Sequence, residues 1–122
     1  DAPAYTQAFV RQAMDLYDAV GLEDTLAYYN TPESIDGQWY MFIIDQEGVT
    51  IGHHNAMFRG RDPSLRVDST GYFYGDDLLS ATEAGRWVDY VLLNPATGYD
   101  RQKHTWIVRH DGLLFASGWY EG

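Results

Sequence analysis

Residues 101–120 read RQKHTWIVRHDGLLFASGWY. Asp111-Gly112 sits midway, between two runs rich in aromatic and β-branched residues. A two-residue Asp-Gly connection supplies the positive φ angles of a type I′ turn, so this stretch predicts a tight hairpin with strands at 101–110 and 113–120. Upstream, residues 86–93 (RWVDYVLL) have the same character. Asn94-Pro95-Ala96-Thr97-Gly98 makes a loop that turns this strand back into the next. The last third of the chain is therefore three consecutive antiparallel strands.

Further out, residues 38–45 (QWYMFIID) form a dense apolar run too short for a good helix. It reads as a strand buried on both faces. Asp45-Gln46-Glu47-Gly48 is a turn, and 49–54 is the hairpin partner. At the start, Phe9, Ala13, Leu16 and Val20 follow helical spacing over residues 4–20, with Val10, Met14 and Tyr17 widening the stripe. Pro3 suits the first helical position and Gly21 a stop. A second short helix spans 22–30 and ends at Thr31-Pro32. The opening Asp1-Ala2-Pro3-Ala4 reads as a mature or excised end. Residues 55–75 are irregular, with Gly60, Pro63, Gly71 and Gly75. Asp76 reads as the cap of a short helix over 77–84, stopped by Gly85. The expected fold is α+β, a five-stranded antiparallel sheet in one domain, 1–122. The long helix covers one face, and the 55–84 segment forms a loop-and-helix lid over the other. A small ligand would sit beneath that lid.

Composition narrows the function. The chain has 122 residues, no cysteine, and 18 acids against 8 bases, for a net charge of −10. Disulfide scaffolds and thiolate metal centres are excluded. No apolar run approaches the ~20 residues of a membrane helix. The acidity argues against nucleic acid and anionic membrane as partners. Residues 1–58 carry nine acids and a single base, Arg11. The other seven bases (Arg59, Arg61, Arg66, Arg86, Arg101, Lys103 and Arg109) all lie in 59–122. Any anion must be held by that half.

Motifs for catalysis are missing. There is no GxGxxG, no GxxxxGK[ST] and no GxSxG, and nothing orders a Ser/His/Asp triad. His53 and His54 point to opposite faces by strand alternation, so they do not make a metal site together with His104 or His110. Asp76-Asp77 reads better as a helix start than as a catalytic pair. Arg59-Gly60-Arg61-Asp62 is either an exposed, partly self-neutralised loop or an anion contact. The strand aromatics Trp39, Tyr40, Phe42, Trp87, Tyr90, Trp106, Phe115, Trp119 and Tyr120 are mostly core. Those with a polar handle, beside Lys103 and the arginines, also suit a small-anion pocket.

Three segments together resemble the single Cache domain family: Gly85-Arg86-Trp87-Val88-Asp89-Tyr90-Val91, then Lys103-His104-Thr105-Trp106-Ile107-Val108, then Ser117-Gly118-Trp119-Tyr120. The long first helix, the strand at 39–45 with its Gly48 turn, and Gly60-Arg61-Asp62 extend the resemblance to nearly the whole chain. It implies a PAS-like sensor domain in the periplasmic or extracellular part of a bacterial receptor. Such a domain binds a short carboxylate of the pyruvate, acetate or propionate class. It implies no enzymatic activity, cofactor or metal. Its partners would be a membrane-anchored signalling protein or a second copy of the chain. Tyr90 and Lys103 are the implied ligand residues, Lys103 countering the carboxylate and Tyr90 donating to it. The chain departs from the family in having Ser117-Gly118-Trp119-Tyr120 where Thr-Gly-x-Tyr is commoner, and Trp106 where Tyr is common. Position in sheet and lid adds Trp87, Trp106, His53, Arg59 and Tyr72 as candidates. Alternation sets Trp87 opposite Tyr90, and Trp106 opposite Lys103, so one pocket takes all of them only if a bulge intervenes. The alternative reading is an NTF2-like cone with an enzymatic or binding role and an Asp paired to a His or Tyr. A third is an interaction module whose pocket is filled by its own aromatics.

Overall fold

Local chemistry starts the first element. In the computed structural model, which describes residues 1–122, helix α1 runs Ala2–Tyr29. The Asp1 side chain accepts from the Ala4 N–H at 2.8 Å, capping an orphan donor of the first turn. Gly21 interrupts it at φ 85° and ψ 179°, so the two helices expected at 4–20 and 22–30 are joined through a kink at the expected stop. Thr6, Phe9, Val10 and Ala13 form the buried stripe of the first part, and Thr25 and Tyr29 that of the second.

The strands are β1 (Phe42–Ile44), β2 (Thr50–Gly52), β3 (Arg86–Leu93), β4 (Asp100–His110) and β5 (Leu113–Tyr120). They form one antiparallel sheet in the order β2-β1-β5-β4-β3. The Asp-Gly hairpin is present, with φ 51° at Asp111 and 77° at Gly112. β1 is buried throughout, as its composition requires, but shorter than 38–45. Upstream of Phe42 the connections to β5 run through side chains instead of a backbone ladder. Ser117 Oγ donates to the Tyr40 carbonyl at 2.7 Å, and the Tyr120 N–H donates to Gln38 Oε1 at 2.8 Å. β2 is likewise shorter than 49–54. Gly52 lies so near β1 that a Cβ there would stand 2.9 Å from Ile43 Cβ.

α1 lies on one face of the sheet, where Phe9, Val10 and Ala13 meet Ile43, Val108 and Phe115. On the other face, Phe42, Ile44, Val88, Ile107, Leu114 and Ala116 are covered by Leu78 and Ala81 from the 55–84 segment. That segment holds two 3₁₀ turns, Ala56–Phe58 and Pro63–Leu65, and helix α2, Gly75–Leu79. α2 begins before Asp76, so Asp76 is not its cap. Tyr74 holds that position and makes no side-chain bond. At and beyond its end Arg109 satisfies two carbonyls: Nη2 donates to Leu79 O at 2.7 Å and Nε to Ala81 O at 3.0 Å.

Asp68 pins the lid to the sheet. Its Oδ1 accepts from the Thr70 and Tyr72 N–H groups and the Thr70 hydroxyl, and its Oδ2 from the Val91 N–H of β3 at 2.9 Å. Burial alone would raise its pKa. The hydrogen bonds from Val91, Thr70 and Tyr72 together outweigh that and hold it down at about 2.

Candidate ligand-binding site

Register brings the site together. Tyr90 pairs with Lys103 across β3 and β4, and Lys103 pairs with Tyr120 across β4 and β5. Directly paired residues share a face, so all three side chains project under the lid. There they line a cavity of about 420 Å³ with Tyr40 and Phe42 from the β1 side, His53 and His54 after β2, and Arg61, Arg66 and Tyr74 from the lid.

Lys103 is 2% exposed, and its Nζ donates to Tyr40 Oη at 3.2 Å. Four rings surround the ammonium: Tyr40 at 4.8 Å, Phe42 at 5.2 Å, Tyr120 at 5.4 Å and Tyr90 at 5.8 Å from their centroids. No carboxylate pairs with it. The ion pairs of the structure are Arg86–Asp77, His104 with Asp89 and Glu121, and His110–Asp18. Burial pushes the Lys103 pKa below its ordinary value. Gly118 makes room for this side chain, since a Cβ there would stand 3.0 Å from Lys103 Cε and 2.4 Å from the His104 carbonyl oxygen.

The phenols around the ammonium keep their protons. Burial raises Tyr90 well above 10 and raises Tyr40, and it moves Tyr120 up to about 12. Tyr90 Oη hydrogen-bonds Thr105 Oγ1 at 2.8 Å, Tyr40 and Tyr120 hydroxyls lie 3.3 Å apart, and the Tyr74 ring stacks on Tyr90 at 4.0 Å. His53 is neutral: burial first, then the nearby His54, Lys103 and Arg59, lower it to about 3. Its Nδ1 accepts from the Asn55 N–H at 3.0 Å, which leaves the proton on Nε2. The site thus offers a fully buried ammonium, two guanidiniums on the lid side, neutral hydroxyl and imidazole donors, and apolar walls.

Of the seven residues expected at the site, Tyr90, Lys103 and His53 line this cavity. The other four do not. Trp87 and Trp106 are directly paired and project to the opposite face, where Trp87 packs on Trp106 at 5.1 Å and on Trp119 at 5.4 Å. No bulge in β3 or β4 rotates them under the lid. Tyr72 donates to the Asp77 carboxylate at the start of α2. Arg59 follows the Ala56–Phe58 turn outside the cavity lining. By sequence, neither Tyr74 nor His54 stands out as a ligand residue, and Tyr120 and Arg66 do so only collectively, among the strand aromatics and arginines that suit a small-anion pocket. Tyr120 had a usable signal: pairing counted back from the Asp-Gly turn sets it opposite Lys103.

No family model matches this chain, and no curated protein is similar to it in sequence. Solved structures are similar in fold. One is a methyl-accepting chemotaxis protein from Vibrio parahaemolyticus, with a TM-score of 0.76 and 16% identity over 98% of this chain and 85% of that one. A Cache chemosensory domain described for its carboxylic acid recognition gives 0.74 and 19%, over 98% and 92%. The periplasmic sensor domain of a chemotaxis protein gives 0.69 and 18%, over 95% and 88%. Their shared architecture, the long N-terminal helix and five-stranded antiparallel sheet described above, gives this chain the α+β, PAS-like fold of Cache chemosensory domains.

Proposed function

We propose that this chain is the periplasmic or extracellular sensor domain of a bacterial signalling protein, that it binds a small carboxylate, and that it is not an enzyme. One observation carries the ligand reading: Lys103 is buried with no carboxylate to balance it. An unpaired buried ammonium costs several kcal/mol, which a bound anion offsets. At about 4 Å and an effective dielectric near 20 the attraction is about 4 kcal/mol. The ligand carboxylate would sit against Lys103 Nζ and accept from neighbouring phenols, while its carbon chain meets Phe42 and Leu78. The fold shared with chemosensory domains supports the sensing role, with a membrane-anchored signalling protein or a second copy as partner. α1 lies on the reverse face of β4 and β5, the strands that carry Lys103 and Tyr120, so a shift of those strands reaches it directly.

The NTF2-like alternative needs an acid/base pair in a cone. Asp62, the carboxylate at this cavity, accepts instead from the Ser64 N–H at 2.9 Å. The test is a thermal-shift and calorimetry panel of short acids, including acetate, propionate and pyruvate, on wild type and Lys103→Ala. At least one acid should raise the wild-type melting temperature and leave the variant unmoved. Equal shifts in both, or none from any acid, would refute the assignment.

A further inference from the structure

Lys103 is not the cavity's sole unbalanced cation. Arg66 follows the Pro63–Leu65 turn of the lid, and its Nη2 donates to Thr50 Oγ1 at 3.0 Å. Its Nη1 is buried with no hydrogen-bond partner, and the guanidinium has no ion pair. His54 Nδ1, also at the cavity, is the other buried side-chain polar atom without a partner. Buried donors are almost always satisfied, and each unpaired one in a native structure asks for an explanation. Gly75 accommodates Arg66 here: a Cβ would stand 3.1 Å from Arg66 Cβ and 3.3 Å from its Cδ. Gly75 has no positive φ, so the glycine serves space and not backbone conformation.

We propose that the ligand is a dianionic acid of the dicarboxylate class. It spans the cavity with one carboxylate on Lys103 in the sheet and the other on Arg66 in the lid. This inference rests on the carboxylate reading above and adds the second end of the ligand. A single carboxylate on Lys103 leaves Arg66 with no ion pair and its Nη1 with no partner, Asp45 acting on it only at longer range. A guanidinium offers a planar pair of donors that matches a carboxylate edge, and it keeps its charge even where burial lowers its pKa. Size agrees. A two- or three-carbon acid replaces about four waters, or roughly 120 Å³ at about 30 Å³ each. The cavity measures about 420 Å³. The two cations also belong to different layers. A one-ended acid engages the sheet alone, whereas a two-ended acid ties the lid to the sheet.

Calorimetric titration of the full chain at pH 7 with acids matched in carbon number tests this: butyrate against succinate, and pentanoate against glutarate. At least one diacid should bind ten or more times tighter than its monoacid. Arg66→Met should erase that advantage while changing monoacid affinity less than threefold, and Lys103→Met should abolish both. If Arg66→Met does not fold, Arg66→Gln supplies the same comparison. Equal mono- and diacid affinities in the wild type, or a diacid advantage that survives loss of the Arg66 charge, would overturn the two-ended ligand and leave the carboxylate reading standing. Failure of every acid to bind the wild type would overturn both.

Discussion

Replacing Lys103 with methionine should make the ligand-free protein more stable, the reverse of most core substitutions. The ammonium is 2% exposed, with one hydroxyl acceptor at 3.2 Å and four aromatic rings between 4.8 and 5.8 Å. Desolvating an ion costs several kcal/mol. The hydrogen bond returns roughly 1.5–3 kcal/mol and the cation–π contacts about 2 kcal/mol, so a net penalty of about 1–3 kcal/mol remains. Methionine keeps an unbranched stem of similar volume and suits the ring-lined space. At roughly 4 °C per kcal/mol for a chain of this length, the melting temperature should rise by about 4–12 °C. The pH dependence checks the cause. The folded-state pKa lies below the unfolded value of 10.5. The unfolded state therefore binds more protons between those two values, and the wild type recovers its penalty as pH rises through that window. The gap between variant and wild type should narrow as pH rises from 7 towards 10.5. Comparing the two cancels the tyrosines remote from Lys103, whereas Tyr120, which the ammonium lowers, shifts with it. Calorimetric melting across that pH range is the assay. A Lys103→Met protein less stable than wild type at pH 7, without any acid present, would refute the claim that this ammonium lacks its partner.

Three further outcomes follow from the geometry. Asp68→Ala should destabilise by about 2 kcal/mol by freeing the lid from Val91, and wild-type stability should fall as pH drops from about 4 through 2, because a carboxyl held at about 2 is protonated there; denaturant melts of both proteins at pH 7 and pH 3 read this. Gly118→Ala should cost about 1–3 kcal/mol by overpacking against the His104 carbonyl and Lys103 Cε, and weaken acid binding as well, measured by melting and titration. Burial would lower the His104 pKa, but hydrogen bonds to Glu121 and Asp89 at 2.8 and 2.7 Å prevail and raise it; its contribution, about 0.5–1 kcal/mol given its exposed partners, is present below pH 6.5 and lost as pH rises through the raised value, so His104→Gln should remove that loss of stability above pH 6.5.

How far the chain could be read depends on the range of each interaction. The Asp111-Gly112 turn, the Gly21 break and the apolar strand 42–44 are set by neighbours in sequence, and they stand where expected. Alternation alone also separates Trp87 from Tyr90 and Trp106 from Lys103, and by that period-two rule the two tryptophans belong to the face away from the lid. Ladder ends were harder. Gln38 and Ser117 satisfy backbone groups with side chains, which shortens β1 in a way no propensity reveals. The lid was least legible. Arg66 reaches the cavity because Thr50 holds its Nη2 and Gly75 leaves it room, two partners distant in sequence.

The net charge of −10 takes on a different meaning once the cations are placed. Acids outnumber bases most strongly along α1 and its connectors, where Asp15, Asp18, Glu23 and Asp24 project on the face away from the cavity. Their repulsion acts through solvent and fades over a Debye length of about 8 Å at physiological salt. Lys103 acts at contact distance among aromatic rings, and the half-buried Arg66 lines the same cavity, where screening is weaker and the effective dielectric lower than at the surface. Near contact the local term is therefore the larger. An acidic surface opposes polyanions, which must approach along it, while a small anion that slips under the lid meets Lys103, Arg61 and Arg66 against the single carboxylate of the lining, Asp62. The same asymmetry leaves Lys103 and Arg66 without an ion-pair partner in the ligand-free chain. A carboxylate built in beside Lys103 would stabilise the folded chain, and it would occupy the charge that a ligand is there to neutralise.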